Sequence, residues 1–224
     1  GSVNDSTLLC QNLGVELLTA PFKEEFELAV KQFELMTDEK PSRLTQENMQ
    51  ARIRGRKLME YSNHFAALVI STGNKSEMSV GYATLYGDMN GGINPLGDLY
   101  KMDVYALAKF LNEKAKKEII PNNIIKKAPS AELSEDQKDS DSLPEYPLLD
   151  AILKLYIEGD LLDVEESLRC EQIIAQFGCS EQELLKIHNM VDRAEFKRRQ
   201  APPIIRVQKR SFGMGRWLPV AAKY

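Results

Sequence analysis

Apolar positions along the chain follow two rhythms, spacings of three and four residues and short uninterrupted runs, which predict helices joined to brief buried strands. Leu8, Leu9 and Leu13 recur at helical spacing and Gly14 stands where a C-cap belongs, so residues 5–14 read as the tail of a helix. Val15 to Leu18 then reads as a short strand. Phe26, Val30 and Phe33 give one apolar face to a helix from Phe22 to Met36. Another helix starts with Thr45 as N-cap and runs through Met49, Ile53 and Leu58 to about Tyr61. Ala66 to Ile70 is expected to be a strand buried in a parallel sheet, because a short run with a β-branched end suits burial on both faces.

After Ile70 the chain turns into small polar residues, Ser71 to Glu77, at the start of a short helix. A strand that breaks this way leaves backbone N–H groups and hydroxyls free to face an anion. A glycine-rich loop follows from Gly87 to Gly97, and an amphipathic helix from Lys101 to Lys117 carries Val104, Leu107, Ala108 and Leu111. Ile119-Ile120-Pro121 stops it. An acidic run with Ser and Pro, Glu132 to Pro147, is expected to be a mobile surface loop. Helices are expected over Leu148–Glu158, Leu161–Phe177 and from a Ser180 cap to about Arg199, with an irregular basic tail over residues 201–224.

Composition narrows the class. The chain has 224 residues, 43% of them apolar, enough for a core in one or at most two domains. Its net charge of −4 leaves no global field for nucleic acid or anionic lipid. Charge is uneven, however: Arg193 to Arg216 holds eight basic residues against Glu195 alone, and Glu132 to Asp150 holds seven acids against Lys138. Nucleic-acid modules pair such a tail with stacking aromatics at regular spacing, which Phe196, Phe212 and Trp217 do not provide. Cys10, Cys170 and Cys179 have neither metal-ligand spacing nor an even count, so the reducing cytoplasm is the expected location. No run approaches the roughly 18 to 20 apolar residues that cross a bilayer. Gly1-Ser2 reads as a cleavage scar.

The candidate chemistry is weak residue by residue. Thr72 offers a hydroxyl to a nucleotide, and Glu77 offers a hard oxygen to magnesium, but a Glu early in a helix also complements the macrodipole. Lys101, in a first helical turn after a glycine-rich loop, suits a phosphate or plain solvent. Asn48 and Arg52 share a helix face, in a segment crowded with Arg54, Arg56 and Lys57 that also fits a solvated surface. Asp88, among glycines, fits a ligand approach or an ordinary Asp-stabilised turn. His64 and His188 have no nucleophile partner in sequence, and no Ser-His-Asp pattern stands out.

Longer strings are specific. Residues 71–78, STGNKSEM, then 81–89, GYATLYGDM, then 92–96, GINPL, resemble the synthetase domain of NAD synthetases, as do 127–133, KAPSAEL, with Gln137, Asp139 to Pro144 and Tyr146, and 196–203, FKRRQAPP. Ser211-Phe212-Gly213 with Arg216 and Pro219 resembles the glutamine-dependent branch, in which a glutaminase domain precedes the synthetase. The resemblance implies an α/β fold, an incomplete Rossmann-like (adenine nucleotide alpha hydrolase-like) parallel sheet flanked by helices, with a helical C-terminal part. Residues 1–130 would form the truncated ATP- and dinucleotide-binding part, 131–147 the acidic loop, 148–200 the helical part and 201–224 the tail. It implies a carbon–nitrogen ligase that adenylates deamido-NAD with ATP and amidates it with ammonia, in a homo-oligomer, with no nucleic acid or membrane partner.

By the same resemblance, Thr72, Lys101 and Ser130 match ATP contacts, Lys101 and Glu77 the catalytic positions, and Glu77 the Mg2+ carboxylate. Asn48, Arg52, Glu77, Tyr82, Ala83, Thr84, Leu85 and Lys197 match deamido-NAD positions, with Asn48 and Arg52 supplied across a subunit boundary and Lys197 on a segment that closes over the substrate. One departure matters. The family's Ser-Gly-Gly-x-Asp-Ser loop, which wraps the ATP pyrophosphate, occurs nowhere in these 224 residues. The chain is therefore expected to be a C-terminal fragment of a glutamine-dependent NAD synthetase, inactive by itself. Another ATP-pyrophosphatase-type amidating synthetase and a non-catalytic interaction or oligomerisation module are the alternatives.

Overall fold

The computed structural model describes residues 2–131, 133 and 138–220. Among these described residues ten α-helices run in order: α1 Ser2–Leu13, α2 Lys23–Thr37, α3 Arg43–Phe65, α4 Lys75–Val80, α5 Lys101–Ala115, α6 Asn122–Lys126, α7 Tyr146–Glu158, α8 Val164–Gln176, α9 Glu181–Arg193 and α10 Glu195–Arg198. The helices follow the apolar periodicities, with boundaries displaced by a few residues. Gly14 closes α1 with φ +66°, and Ser180 caps α9 by accepting from the Glu183 amide. Helix α3 begins earlier than expected: Ser42, not Thr45, is its N-cap, and Ser42 Oγ accepts from the Thr45 amide at 3.2 Å.

The sheet needs correction. Among the described residues only isolated bridges form, Ile70 with Ile93 and Asn94 with Ile204 in parallel and Gly213 with Arg216 antiparallel. Val15 to Leu18 is irregular and exposed, and Leu68 and Ile70 are 68% and 57% exposed. Among the described residues, residues 67–70 have a neighbour on one edge only, through Ser71 N to Ile93 O and Gly92 N to Val69 O, both 2.9 Å. A segment paired along one edge, with its other edge and both apolar side chains open, lacks what makes a buried strand regular. The expected acidic mobile loop lies partly outside the described residues; within it, Asp139–Asp141 form a 3-10 turn.

The core sits in the C-terminal half. Tyr100, Leu149, Leu153, Ile157 and Val191 are fully buried where α4, α7 and α9 pack together, whereas α1, α2 and α5 have no buried residue. α7 is apolar nearly all round, as a central helix must be. The short α4 could not persist alone, since six residues barely exceed one turn. It is held at both ends by side chains. Asn74 and Glu77 form a capping box at its start. At its end Arg198 donates to Ser79 O at 2.8 Å, and Lys197 donates to Gly81 O and Ala83 O, both at 2.7 Å.

Gly81 makes this docking possible. Its φ is +71°, and a Cβ there would lie 2.9 Å from Ala194 Cβ. Gly81→Ala is expected to destabilise the chain by about 1–3 kcal/mol, from left-handed strain and a clash with the start of α10. The check is a fall in the denaturant midpoint with an unchanged slope.

Candidate active site

Nine of the eleven positions that the family resemblance matches border one cavity of about 730 Å3. From the first half of the chain come Asn48 on α3, Thr72 before α4 and Glu77 within it, followed by Tyr82, Ala83 and Thr84. Lys101, Ser130 and Lys197 close the ring. Arg52 and Leu85 lie outside the lining and bond to each other, Arg52 Nε donating to Leu85 O at 3.2 Å. Thr84 Oγ1 donates to Asn48 Oδ1 at 2.7 Å, so α3 holds the Thr84–Leu85 turn by two side chains one helical turn apart. Close approach is permitted by small residues: a Cβ on Gly55 would meet Gly87 O at 2.8 Å, and one on Gly87 would meet Ala51. Asn48 thus reaches the cavity from its own chain.

An ion pair lies on the cavity wall. Lys101 Nζ donates to Glu77 Oε1 at 3.0 Å, and Glu77 Oε2 accepts from the Asn74 amide at 3.0 Å. Burial pulls the Lys101 ammonium down, but the charge and hydrogen bond of Glu77 outweigh it, so the net shift is upward and the amine stays charged. Tyr146 faces the same pair and donates to Asp139 Oδ2 at 2.7 Å; burial first, then Glu77 and Asp139, push its phenol far up. Burial, followed by the Asp139 charge, pushes Tyr82 up to about 12. These phenols remain neutral donors across the working pH range. Among the described residues the buried Asp139 Oδ1 has no hydrogen-bond partner, and Asp139 lines the cavity.

Two expectations about this region change. Three amides around the start of α4 are taken rather than free for an anion: Lys75 N donates to Leu99 O at 2.8 Å, Glu77 N to Asn74 Oδ1 and Asn74 N to Glu77. The capping box uses two of the groups that a bare helix end would offer to a phosphate. Lys197 does not extend from a loose tail, since its ammonium is bound to the 81–83 turn, and burial lowers its pKa against the pull of Asp88. Asp88 Oδ1 accepts from the Thr84 amide at 2.7 Å, so it stabilises the turn while bordering the cavity. His188 stacks on Tyr156 with centroids 3.9 Å apart, and His64 lies against Phe65, both away from the cavity.

Sequence reasoning missed the ionic centre beneath the site. Lys75 is fully buried, its ammonium 2.8 Å from Glu158 Oε1, 3.1 Å from Asp98 Oδ1 and 2.6 Å from Arg210 O. The Asp98 contact is within ion-pair range but lacks hydrogen-bond geometry. Tyr100 donates to Glu158 Oε1 at 2.6 Å, while Asp98 Oδ2 accepts from the Val207 and Gln208 amides and the Ser211 hydroxyl. The tail is therefore pinned under α4 by groups separated by 23 to 135 residues in sequence, a distance no local pattern reports.

The geometry has relatives. A protein-family model described as NAD synthase matches residues 1–201. The glutamine-dependent NAD(+) synthetase of Thermotoga maritima is 42% identical over 223 residues, covering 100% of this chain and 37% of that protein; the one from Aquifex aeolicus is 43% identical, covering 100% and 38%. Among solved structures, the glutamine-dependent NAD+ synthetase from Acinetobacter baumannii, in complex with adenosine diphosphate, is 39% identical with a TM-score of 0.55, covering 98% of this chain and 38% of its own. One from Cytophaga hutchinsonii is 20% identical with a TM-score of 0.77 over 99% of this chain and 36% of its own, a likeness of fold. The chain spans under two-fifths of the length of these relatives. With the matched region running through every residue around the Glu77–Lys101 pair, the chain belongs to the NAD synthase family.

Proposed function

We propose that this chain is the C-terminal part of the synthetase half of a glutamine-dependent NAD synthetase, and that its cavity binds deamido-NAD and the phosphates of ATP. The observation that carries the reading is the convergence of Thr72, Glu77, Lys101 and Ser130, from separate parts of the chain, on one cavity beside the Asn48–Thr84 wall. A carboxylate is a poor electrophile until one oxygen becomes part of a good leaving group, and adenylation of the nicotinate carboxylate does this before ammonia attacks. Lys101, kept charged by Glu77, offsets phosphate charge; the Thr72 and Ser130 hydroxyls bond phosphate oxygens. Asn48, Tyr82, Ala83 and Thr84 hold the deamido-NAD, with Arg52 and Leu85 supporting the turn behind them and Lys197 fixing its other side.

Magnesium fits the donor set. Each Glu77 oxygen accepts one hydrogen bond and keeps a second lone pair, and magnesium commonly takes one or two carboxylates with substrate phosphates and water. Among the described residues there is no cluster of three His, Cys, Asp or Glu, which suits a metal that arrives with a nucleotide. Bound there, magnesium would neutralise phosphate charge. Homo-oligomerisation and a glutaminase partner domain belong to the same reading. Among the described residues no helix is long and apolar enough to cross a membrane.

The test is titration and turnover. Deamido-NAD should bind this chain, and mixing it with ATP, magnesium and ammonia should yield no NAD, because the pyrophosphate loop is not in these residues. Steady NAD formation would overturn the claim that the loop is indispensable; absent deamido-NAD binding would overturn the cavity assignment. An NMN synthetase structure from Francisella tularensis, 28% identical over 81% of this chain with a TM-score of 0.59, favours one second reading, amidation of a mononucleotide. Nicotinate mononucleotide binding more tightly than deamido-NAD would select it.

A further inference from the structure

We propose that Ser76 and Asp150 are positioning residues for the Glu77–Lys101 pair, fixing the separation of α4 and α5 across which that pair forms. The proposal rests on the synthetase reading only for what the pair does in the reaction. The first amides of any helix lack intrahelical partners. At α5 the preceding residue cannot supply them, because the Tyr100 hydroxyl is committed to Glu158. The Lys101 amide donates instead to Ser76 Oγ at 2.9 Å, and the Met102 amide to Asp150 Oδ2 at 2.9 Å. Ser76 Oγ donates to Asp150 Oδ1 at 2.5 Å and closes the set.

One hydroxyl on α4, one carboxylate on α7 and two amides of α5 thus satisfy one another. Ser76 adjoins Glu77, and the amide it accepts from belongs to Lys101, so both sides of the 3.0 Å ion pair hang from one backbone junction. Ser76 is fully buried, Asp150 is 3% exposed, and neither borders the cavity, so their influence must pass through the residues they hold. Packing alone does not call for a carboxylate here. Burial pushes Asp150 up to about 6, and the bonds from Ser76 and Met102 only partly pull it back. What a carboxylate supplies is two acceptor oxygens at once, which asparagine cannot offer.

Competitive labelling of amines on the full chain, with acetic anhydride, reads the consequence at Lys101. Ser76→Ala and Asp150→Asn are expected to raise Lys101 labelling by about threefold or more as its bond to Glu77 loosens. The exposed Lys109, two turns along the same helix, should not change. Ile187→Val, a core change in α9, lowers stability without touching the junction and should leave Lys101 as it was. Unchanged Lys101 labelling in the folded variants, or an equal rise in Ile187→Val, would overturn the proposal. Should Asp150→Asn fail to fold, Ser76→Ala alone decides, since it removes only a hydroxyl. A Lys101 shift in a chain that binds no deamido-NAD would uphold the positioning role while the synthetase reading fell.

Discussion

Replacing Lys75 by methionine is expected to destabilise the chain by about 3–5 kcal/mol, because it strands two buried carboxylates without their cation. Lys75, Asp98 and Glu158 carry one positive and two negative charges, and none has more than 2% of its side chain exposed. The second acid is tolerated because Asp98 Oδ2 also receives two amides and the Ser211 hydroxyl. Methionine fills much of the same volume, so a cavity would account for little of the loss. Urea unfolding measures the change, and limited proteolysis locates it: residues 206–211, pinned through Asp98 and Arg210, should become cleavable first. A loss under about 1 kcal/mol would mean that the other donors around the two acids hold them without the lysine.

Removing Glu77 should produce the other large effect. In an intact glutamine-dependent synthetase carrying this region, Glu77→Ala and Lys101→Ala are each expected to reduce ATP- and deamido-NAD-dependent pyrophosphate release by about 100-fold or more, the scale seen when a preorganised charge is deleted from a reacting site. Glu77→Gln separates charge from scaffolding, since its amide oxygen can still accept from Asn74 N and preserve the α4 cap. It should fold like the parent and still lose pyrophosphate release. Without the Glu77 charge, burial governs Lys101, and its pKa should fall. Retained pyrophosphate release in Glu77→Gln would assign Glu77 to the helix cap alone.

What could be read before any tertiary information was local. The spacing of Phe26, Val30 and Phe33 and the Ser180 cap each report on neighbours within four residues, and the helices they signal formed. The motif strings around Glu77 and Lys101 carried the family, because their residue order survives without coordinates. Strands were the failure. An apolar run such as residues 66–70 announces a capacity to pair, but pairing needs an edge elsewhere in the chain, and among the described residues only Gly92 and Ile93 supply one.

Residue identity over short spans was thus enough for the helices and the family. Which polar groups are already committed to partners was settled by folding. It satisfied three of the amides around the start of α4 that had looked free for an anion, tied Lys197 to the 81–83 turn, and brought Asp150 and Ser76 together beneath the ion pair. It also placed Lys75, which no local pattern had marked, in a fully buried ionic centre with Asp98 and Glu158. The reason is the same in each case: hydrogen bonds and charges in a dry interior are settled by partners dozens of residues away, and their energies grow as water leaves, a condition that exists only once the chain has folded.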